Sequence, residues 1–322
     1  MRTKIGYFTI TDAWTPTECL RQAVAAEKMG FDSLWVEDHL IAMPGGIECN
    51  FAWTVMSSAL QATERVPFCT GVTAPIMRYH PAIVAQAFAT MGAMYPGRVG
   101  LGVGTGEPPN EMAVYGGEWP SNNTRLEMLE EALMVMNRLW TSDTPISFTG
   151  KYYTLRNAVL LTRPKEKVPL YVSAIGLRAA NLAGRLGDHL ITLANNPQYI
   201  KDELFPALET AARESGRDPN TIERVGHFSY VYDPDQVVRP EDLQQDAGTI
   251  SGGAMAKAFL SGVISIFHTE EDFIRKIEEM KRMGYNHLAI ANGSMAIEKG
   301  SHIPPDEAPS LKIWADVLPH VR

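Results

Sequence analysis

The sequence predicts a (β/α)8 barrel, and three observations predict it. Eight short apolar runs rich in β-branched and aromatic residues alternate with eight longer runs of helical period. A helix that closes on glycine and gives way at once to a buried strand occurs at Ala26–Val36 and recurs at Leu182–Ile191 and Met280–Leu288. No linker or low-complexity tract divides the 322 residues, so the chain reads as a single domain, residues 1–322. A doubly wound sheet is the competing architecture, but eight units exceed its usual need.

The strands expected in chain order are Lys4–Thr9, Ser33–Glu37, Phe68–Thr73, Arg98–Val103, Pro169–Ser173, His189–Leu193, Val225–Val231 and His287–Ala291. They are mostly apolar rather than alternating, as parallel strands covered by helices are. Helices are expected at Thr17–Met29, Ala52–Thr63, Pro81–Met94, Arg125–Trp140, Leu177–Leu186, Pro197–Ser215, Glu270–Met283 and Asp306–Leu318. Thr15-Pro16 opens the first, and Gly30, Gly216 and Gly284 each close one. Two stretches interrupt the pattern, after strands four and seven. Residues 142–163 read as a short hairpin turning at Gly150-Lys151, and residues 233–266 as a polar, Gly-containing insertion with some helix, able to form a lid.

Composition narrows the function. A formal net charge of −8, with no basic run beyond Arg163–Lys167, argues against nucleic acid as the main partner. No uncharged stretch approaches a membrane span, and no signal-peptide pattern precedes the first strand. Cys19, Cys49 and Cys69 are sparse and show no metal-ligand spacing, which points to a reducing compartment, the cytoplasm. No metal is expected: the segment after strand one reads Phe8-Thr9-Ile10-Thr11-Asp12 rather than His-x-His. No Gly-x-Ser-x-Gly elbow supports a serine hydrolase.

In a barrel the chemistry lies at the C-terminal strand ends. Strand two ends in Glu37-Asp38-His39, where a carboxylate beside an imidazole can orient a cofactor and move a proton near neutral pH. A helix cap and a satisfied surface histidine explain those residues equally well. Strand three carries Gly71, either a bulge or a point where the backbone comes close to something, and Arg78 follows as a structural or a ligand anchor. Strand four runs into Gly102-Val103-Gly104-Thr105-Gly106-Glu107. Its alternate glycines allow close approach of a flat ring or phosphate, and Pro108-Pro109 is expected to interrupt any immediate helix. That spacing is not the dinucleotide fingerprint. After strand five, Ala174-Ile175-Gly176 opens a helix whose free N–H groups can hold a phosphate, although strand–helix packing would also explain the glycine.

Taken together, Arg78–Met91, Tyr95–Val99 and Gly102–Glu107 resemble the luciferase-like flavin and deazaflavin oxidoreductases, in particular their coenzyme F420-dependent branch of secondary alcohol and glucose-6-phosphate dehydrogenases. The resemblance covers nearly the whole chain. It implies a bacterial luciferase-like TIM barrel, usually a homodimer, that takes a small-molecule substrate and holds F420 across the strand ends. Asp38, Gly71, Val72, Thr105, Gly106, Asn110, Ala174, Ile175 and Gly176 match cofactor-contact positions, with a non-prolyl cis peptide implied at Gly71–Val72. His39 and Glu107 match the acid–base positions. The implied reaction is hydride transfer between a carbinol carbon and C5 of the deazaflavin, with His39 taking the hydroxyl proton and Glu107 managing charge near the cofactor's N1 edge. The alternatives on the same barrel are an FMN-dependent reductase or monooxygenase and an F420H2-dependent reductase of an activated C=C or C=N bond. A degenerate barrel with a binding role is a third. Three positions depart from the branch: Met43 stands for a tryptophan, Asn196 for the sugar-phosphate enzymes' lysine, and Phe228 is aligned with a second pocket tryptophan.

Overall fold

A computed structural model describes residues 2–42, 46, 48–238, 264–294 and 304–322. Its strands are β1 (Lys4–Thr9), β2 (Ser33–Val36), β3 (Phe68–Thr70), β4 (Val99–Val103), β5 (Ile146–Thr149), β6 (Thr154–Ala158), β7 (Leu170–Ser173), β8 (His189–Leu193), β9 (Arg224–Tyr232), β10 (Ile264–Phe267) and β11 (His287–Asn292). Eight of them close a parallel ring in the order β1-β2-β3-β4-β7-β8-β9-β11 and back to β1. The closing register pairs Lys4 with His287, and β8 meets β9 at Leu190–Arg224. This is the predicted (β/α)8 barrel. The hairpin expected within residues 142–163 is the antiparallel β5–β6 pair.

β9 serves two partners along one edge. It pairs with β8 up to His227 and then with β10 from Ser229 to Tyr232. The end of the expected 233–266 insertion is therefore a strand, while residues 239–263 lie outside the described part.

The helices are α1 (Pro16–Met29), α2 (Ala52–Ala62), α3 (Pro81–Met94), α4 (Pro108–Tyr115), α5 (Asn122–Thr141), α6 (Leu177–Leu186), α7 (Pro197–Tyr199), α8 (Phe205–Glu214), α9 (Glu270–Arg282), α10 (Pro309–Lys312) and α11 (Trp314–Val321). Thr15 and Glu18 form the capping box of α1, and Gly30 ends it at φ +98°. Three expectations are corrected. Pro108-Pro109 opens α4 instead of interrupting it, because the first turn of a helix has no use for those N–H groups. The helix expected at Pro197–Ser215 is divided by a π-helical turn at Ile200–Leu204, and the one at Asp306–Leu318 becomes two short helices that begin later, at Pro309.

The recurrent helix–glycine–strand wording has a specific cause. Asp32, Asp188 and Asn286 each stand just before a strand and accept the backbone N–H of Ile5, Leu170 and Arg224, at 2.9, 3.0 and 2.8 Å. Each also donates its own N–H to the carbonyl of that same residue. One side chain thus locks two neighbouring strands in register at the bottom of the barrel.

Ile5, Tyr7, Leu34, Phe68, Leu101 and Phe228 face the helices, whereas Phe8, Trp35, Cys69, Tyr171, Ile191, Val225, Ala289 and Ala291 fill the barrel interior. Each large side chain so buried contributes roughly 1.5–3 kcal/mol. Below them a polar cluster plugs the N-terminal end. Ser33 Oγ lies 2.7 Å from His287 Nε2, His287 Nδ1 lies 2.9 Å from Glu223, and Trp35 Nε1 donates to Ser33. Ser33 is 1% exposed and capped by the indole, so this triad-like chain is sealed from any substrate. No helix among the described residues is long and apolar enough to cross a membrane.

Candidate active site

The C-terminal ends of β1, β2 and β4 converge on His39. Its Nδ1 lies 2.9 Å from Asp12 Oδ2 and 3.9 Å from Glu37 Oε2, and its Nε2 lies 4.0 Å from Glu107 Oε2. An ionised carboxylate only accepts, so the 2.9 Å contact puts the hydrogen on Nδ1 and turns Nε2 toward Glu107. Asp12 and Glu37 are largely buried, while the Glu107 side chain is 53% exposed and stands at the open side. Burial alone would lower the imidazole's proton affinity. Glu37, the bond to Asp12 and the charge of Glu107 outweigh burial and raise it well above its ordinary value. Burial raises the Glu37 carboxyl, Asp12 adds to that, and His39 opposes it.

Glu37 is itself held by the Asp12 backbone N–H at 3.1 Å and by Thr11 Oγ1 at 3.3 Å. Donor atoms of Asp12, Glu37 and His39 lie within 4.8 Å of one another, but Nδ1 already donates to Asp12, so the group reads as a proton-handling unit. Cys49 points its thiol at the other Asp12 oxygen, 3.5 Å away.

Asp38 points the opposite way from its two neighbours. Its carboxylate is fully buried and accepts from Thr73 Oγ1 at 2.7 Å, Tyr79 Oη at 3.0 Å and Arg78 at 3.1 Å. Arg78 also bonds the Asp38 carbonyl at 2.6 Å and lies 3.6 Å from Glu111, whose carboxyl burial pushes up to about 7. Arg78 is therefore an internal anchor, and Asp38 fixes the loop that carries His39.

The peptide bond Gly71–Val72 is cis, as the resemblance implied. The glycines of strand four are required by the protein's own atoms. A Cβ on Gly102 would meet the Thr70 carbonyl at 2.0 Å, and one on Gly104 would meet Val72 Cγ2 at 2.7 Å. Gly106 has φ +72° and backs onto Glu111. Gly176 is the opposite case. Its φ is −120° and nothing lies within 4 Å of a Cβ placed there, so packing does not account for it. It is the N-cap of α6 without a side-chain cap, which leaves the first-turn N–H groups free of a side-chain acceptor. Beside it Ala174 is buried and Ile175 is 58% exposed.

Asn110, on α4, accepts the N–H groups of Leu40 and Ile41 through Oδ1 at 2.8 and 3.0 Å, tying α4 to the loop after His39. Its Nδ2 is buried without a hydrogen-bond partner. Thr105 and Gly106 are half-buried between β4 and α4.

Of the predicted site residues, His39 and Glu107 come together and Asn110 is bonded to the loop that follows His39. Asp12 and Glu37 belong to the same unit and were missed. Their signal was position alone, since each lies at a strand's C-terminal end. Phe228 does not line the site. It is 1% exposed and faces the helix layer, packing toward Phe267, whereas His227 and Ser229 share the inward face with Val225. A one-residue shift along a strand reverses the face. Met43 lies outside the described residues. Asn196 caps α7 by accepting the Tyr199 N–H at 3.3 Å. A groove of about 600 Å³ between α5, α6 and α8 contains none of the His39 cluster.

The sequence pattern of the luciferase-like monooxygenases matches residues 3–295. The chain is 32% identical to an F420-dependent glucose-6-phosphate dehydrogenase of Intrasporangium calvum over 347 aligned positions, covering 99% of each. It is 40% identical to the enzyme of that name from Mycolicibacterium fortuitum over 246 residues, 75% of this chain and 72% of the relative. Among solved structures, an F420-dependent secondary alcohol dehydrogenase in complex with an F420–acetone adduct superposes with a TM-score of 0.89, at 41% identity and over 100% of both chains. A tetrahydromethanopterin reductase from Methanopyrus kandleri, at 20% identity and TM-score 0.77, shares the fold.

Proposed function

This chain belongs to the luciferase-like monooxygenase family, and from that premise we propose that it is a coenzyme F420-dependent oxidoreductase acting on a secondary alcohol or sugar-like CH–OH group. The observation that carries the proposal is the full-length likeness to a secondary alcohol dehydrogenase whose structure holds an F420–acetone adduct. The His39–Asp12 pair at the barrel mouth supports it. Two features of the site suit the cofactor: the open Gly176 at an uncapped helix N-terminus, and the Asn110 Nδ2 group, which has no hydrogen-bond partner.

In this reading Ala174, Ile175 and Gly176 would hold the phosphate end, and Gly71 and Val72 would support the ring. Thr105, Gly106 and Asn110 would border it, and Asp38 acts indirectly by fixing the His39 loop. When bound, the deazaflavin supplies the hydride acceptor or donor. His39 exchanges a proton with the substrate oxygen through Nε2, while Asp12 holds Nδ1 and sets the tautomer. Glu107, exposed beside Nε2, governs charge over the reacting oxygen. Asp12, Glu37 and Glu107 make the mouth electronegative, and Arg78 is engaged by Asp38 and Glu111. An uncharged substrate suits that field better than a phosphate dianion, which needs several cations.

The enzyme works as a homodimer through α2 and α3. Neither helix has a charged residue, yet Phe51, Ile83 and Met94 on or beside them are 48%, 54% and 56% exposed. Residues 1–322 act as one domain, since the last barrel strand pairs with the first. Three free cysteines suit the cytoplasm.

The test mixes the protein with oxidised F420 and a panel of secondary alcohols and follows the cofactor's visible absorbance. Alcohol-dependent bleaching is expected. Bound F420 that no alcohol bleaches, and reduced F420 that no ketone reoxidises, would overturn the CH–OH assignment.

A further inference from the structure

We propose that Glu37 is a positioning residue which, with Asp12, clamps the Nδ1 edge of His39 and keeps the imidazole in its cationic form, so that the site is built to deliver a proton to a carbonyl oxygen rather than to remove one from an alcohol. The inference rests on the oxidoreductase reading above and adds to it a direction of work.

The geometry is unusual for a histidine that acts as a general base. A base needs one carboxylate to orient its ring and an empty Nε2. Here two carboxylates from different strand ends lie on the Nδ1 edge, at 2.9 and 3.9 Å, and a third lies 4.0 Å from Nε2. Glu37 is held rigidly through Oε1 by the Asp12 N–H and Thr11, which leaves Oε2 directed at the ring.

The surrounding groups do not cancel this field. Asp12 comes from the end of β1 and Glu107 from the turn before α4. Cys49, from the segment before α2, and Cys19, on α1, are thiols pushed up to about 12. Burial is the main cause, with Asp12 and Glu37 adding to the first and Glu37 and Glu18 to the second, so both stay neutral. Arg78 is occupied by Asp38 and Glu111. His39 is therefore the cation on which three carboxylates converge, and burial weakens the competition of water for the two on its Nδ1 edge, Asp12 and Glu37.

In the forward step the bound deazaflavin would supply the hydride that a carbonyl carbon accepts, and the C=O π pair would take the proton from His39 Nε2. The product is a secondary alcohol, with His39 neutral and its Nδ1–H still on Asp12. Solvent returns one proton to Nε2. Alcohol oxidation is the reverse and begins only from the neutral imidazole.

Two measurements on the full-length protein test this. In the first, ¹⁵N-labelled imidazoles are titrated by NMR in the ligand-free wild type and in Glu37→Gln. The His39 midpoint is expected to fall by about one pH unit or more in the variant, a tenfold loss of proton affinity. In the second, ketone reduction and alcohol oxidation are followed against pH in wild type, Glu37→Gln and Glu37→Asp. Wild-type reduction should persist to higher pH than that of Glu37→Gln, oxidation by the glutamine variant should extend to lower pH than that of wild type, and aspartate should restore the wild-type profiles. An unchanged His39 midpoint in Glu37→Gln, or coincident pH profiles, overturns the proposal. If the NMR shift appears but neither alcohol nor ketone turns over, the clamp stands and the substrate reading fails.

Discussion

His39 and Asp12 meet across 2.9 Å, from the ends of two neighbouring strands and 27 positions apart in sequence. The pair fixes which ring nitrogen faces the substrate. Asp12→Asn is isosteric but can present an N–H to Nδ1, which favours the wrong tautomer. General acid–base catalysis contributes about 10²–10⁴ in rate. His39→Asn should lose most of that factor and Asp12→Asn at least about tenfold, both with F420 affinity kept. Steady-state kinetics beside a fluorescence binding curve checks this, and full turnover by His39→Asn would remove it from the proton path.

At the opposite end of the barrel, Glu223 accepts from His287 and Lys4. Burial raises its carboxyl, but the His287 bond and charge and the Lys4 bond outweigh burial and hold it below the usual carboxylate range. A depressed folded-state value means stability that is present above the unfolded carboxylate's titration and lost as pH falls toward the folded one. Wild-type melting temperature should therefore drop on acidification below about pH 4–5. Glu223→Gln should already be weaker at neutral pH, by about 1.5–3 kcal/mol, with a shallower acid loss. Calorimetry across pH gives both slopes, and parallel slopes would mean Glu223 is not the titrating group.

Phe228 and Ser229 separate packing from recognition. Phe228→Ala should cost about 3–5 kcal/mol and leave KM for substrate unchanged. Ser229→Leu should leave the melting temperature near wild type and alter KM. Denaturant unfolding and kinetics on the two variants distinguish them, and a KM change in Phe228→Ala alone would return that residue to the pocket.

The homodimer proposed above would meet through the charge-free helices α2 and α3. Ile83→Glu and Met94→Lys should each shift the mass by light scattering from dimer to monomer without unfolding. An unchanged mass in both would exclude this face.

Periodicity made the frame legible. Pro81–Met94 and Leu177–Leu186 have the expected bounds because proline or glycine marks where each begins. What was lost lay where a local rule has two meanings. Pro108-Pro109 can stop a helix or start one, and only the direction of the chain after β4 decides. Asp12 could not be read as a partner of His39, since nothing local joins residues on separate strands. Phe228 was assigned by alignment, which carries no information about which face of a strand a residue takes. Gly176 was found, but the structure was needed to remove its packing explanation.

Coenzyme F420 is the group on which the other assignments depend, and one titration decides whether the protein binds it. Purified protein is titrated with oxidised F420 and, separately, with FMN, following quenching of cofactor fluorescence. Saturable, tight quenching of F420 with weak quenching of FMN is the predicted result. Tight FMN binding with weak F420 binding would contradict it and move the chain to an FMN-dependent reductase or monooxygenase on the same barrel.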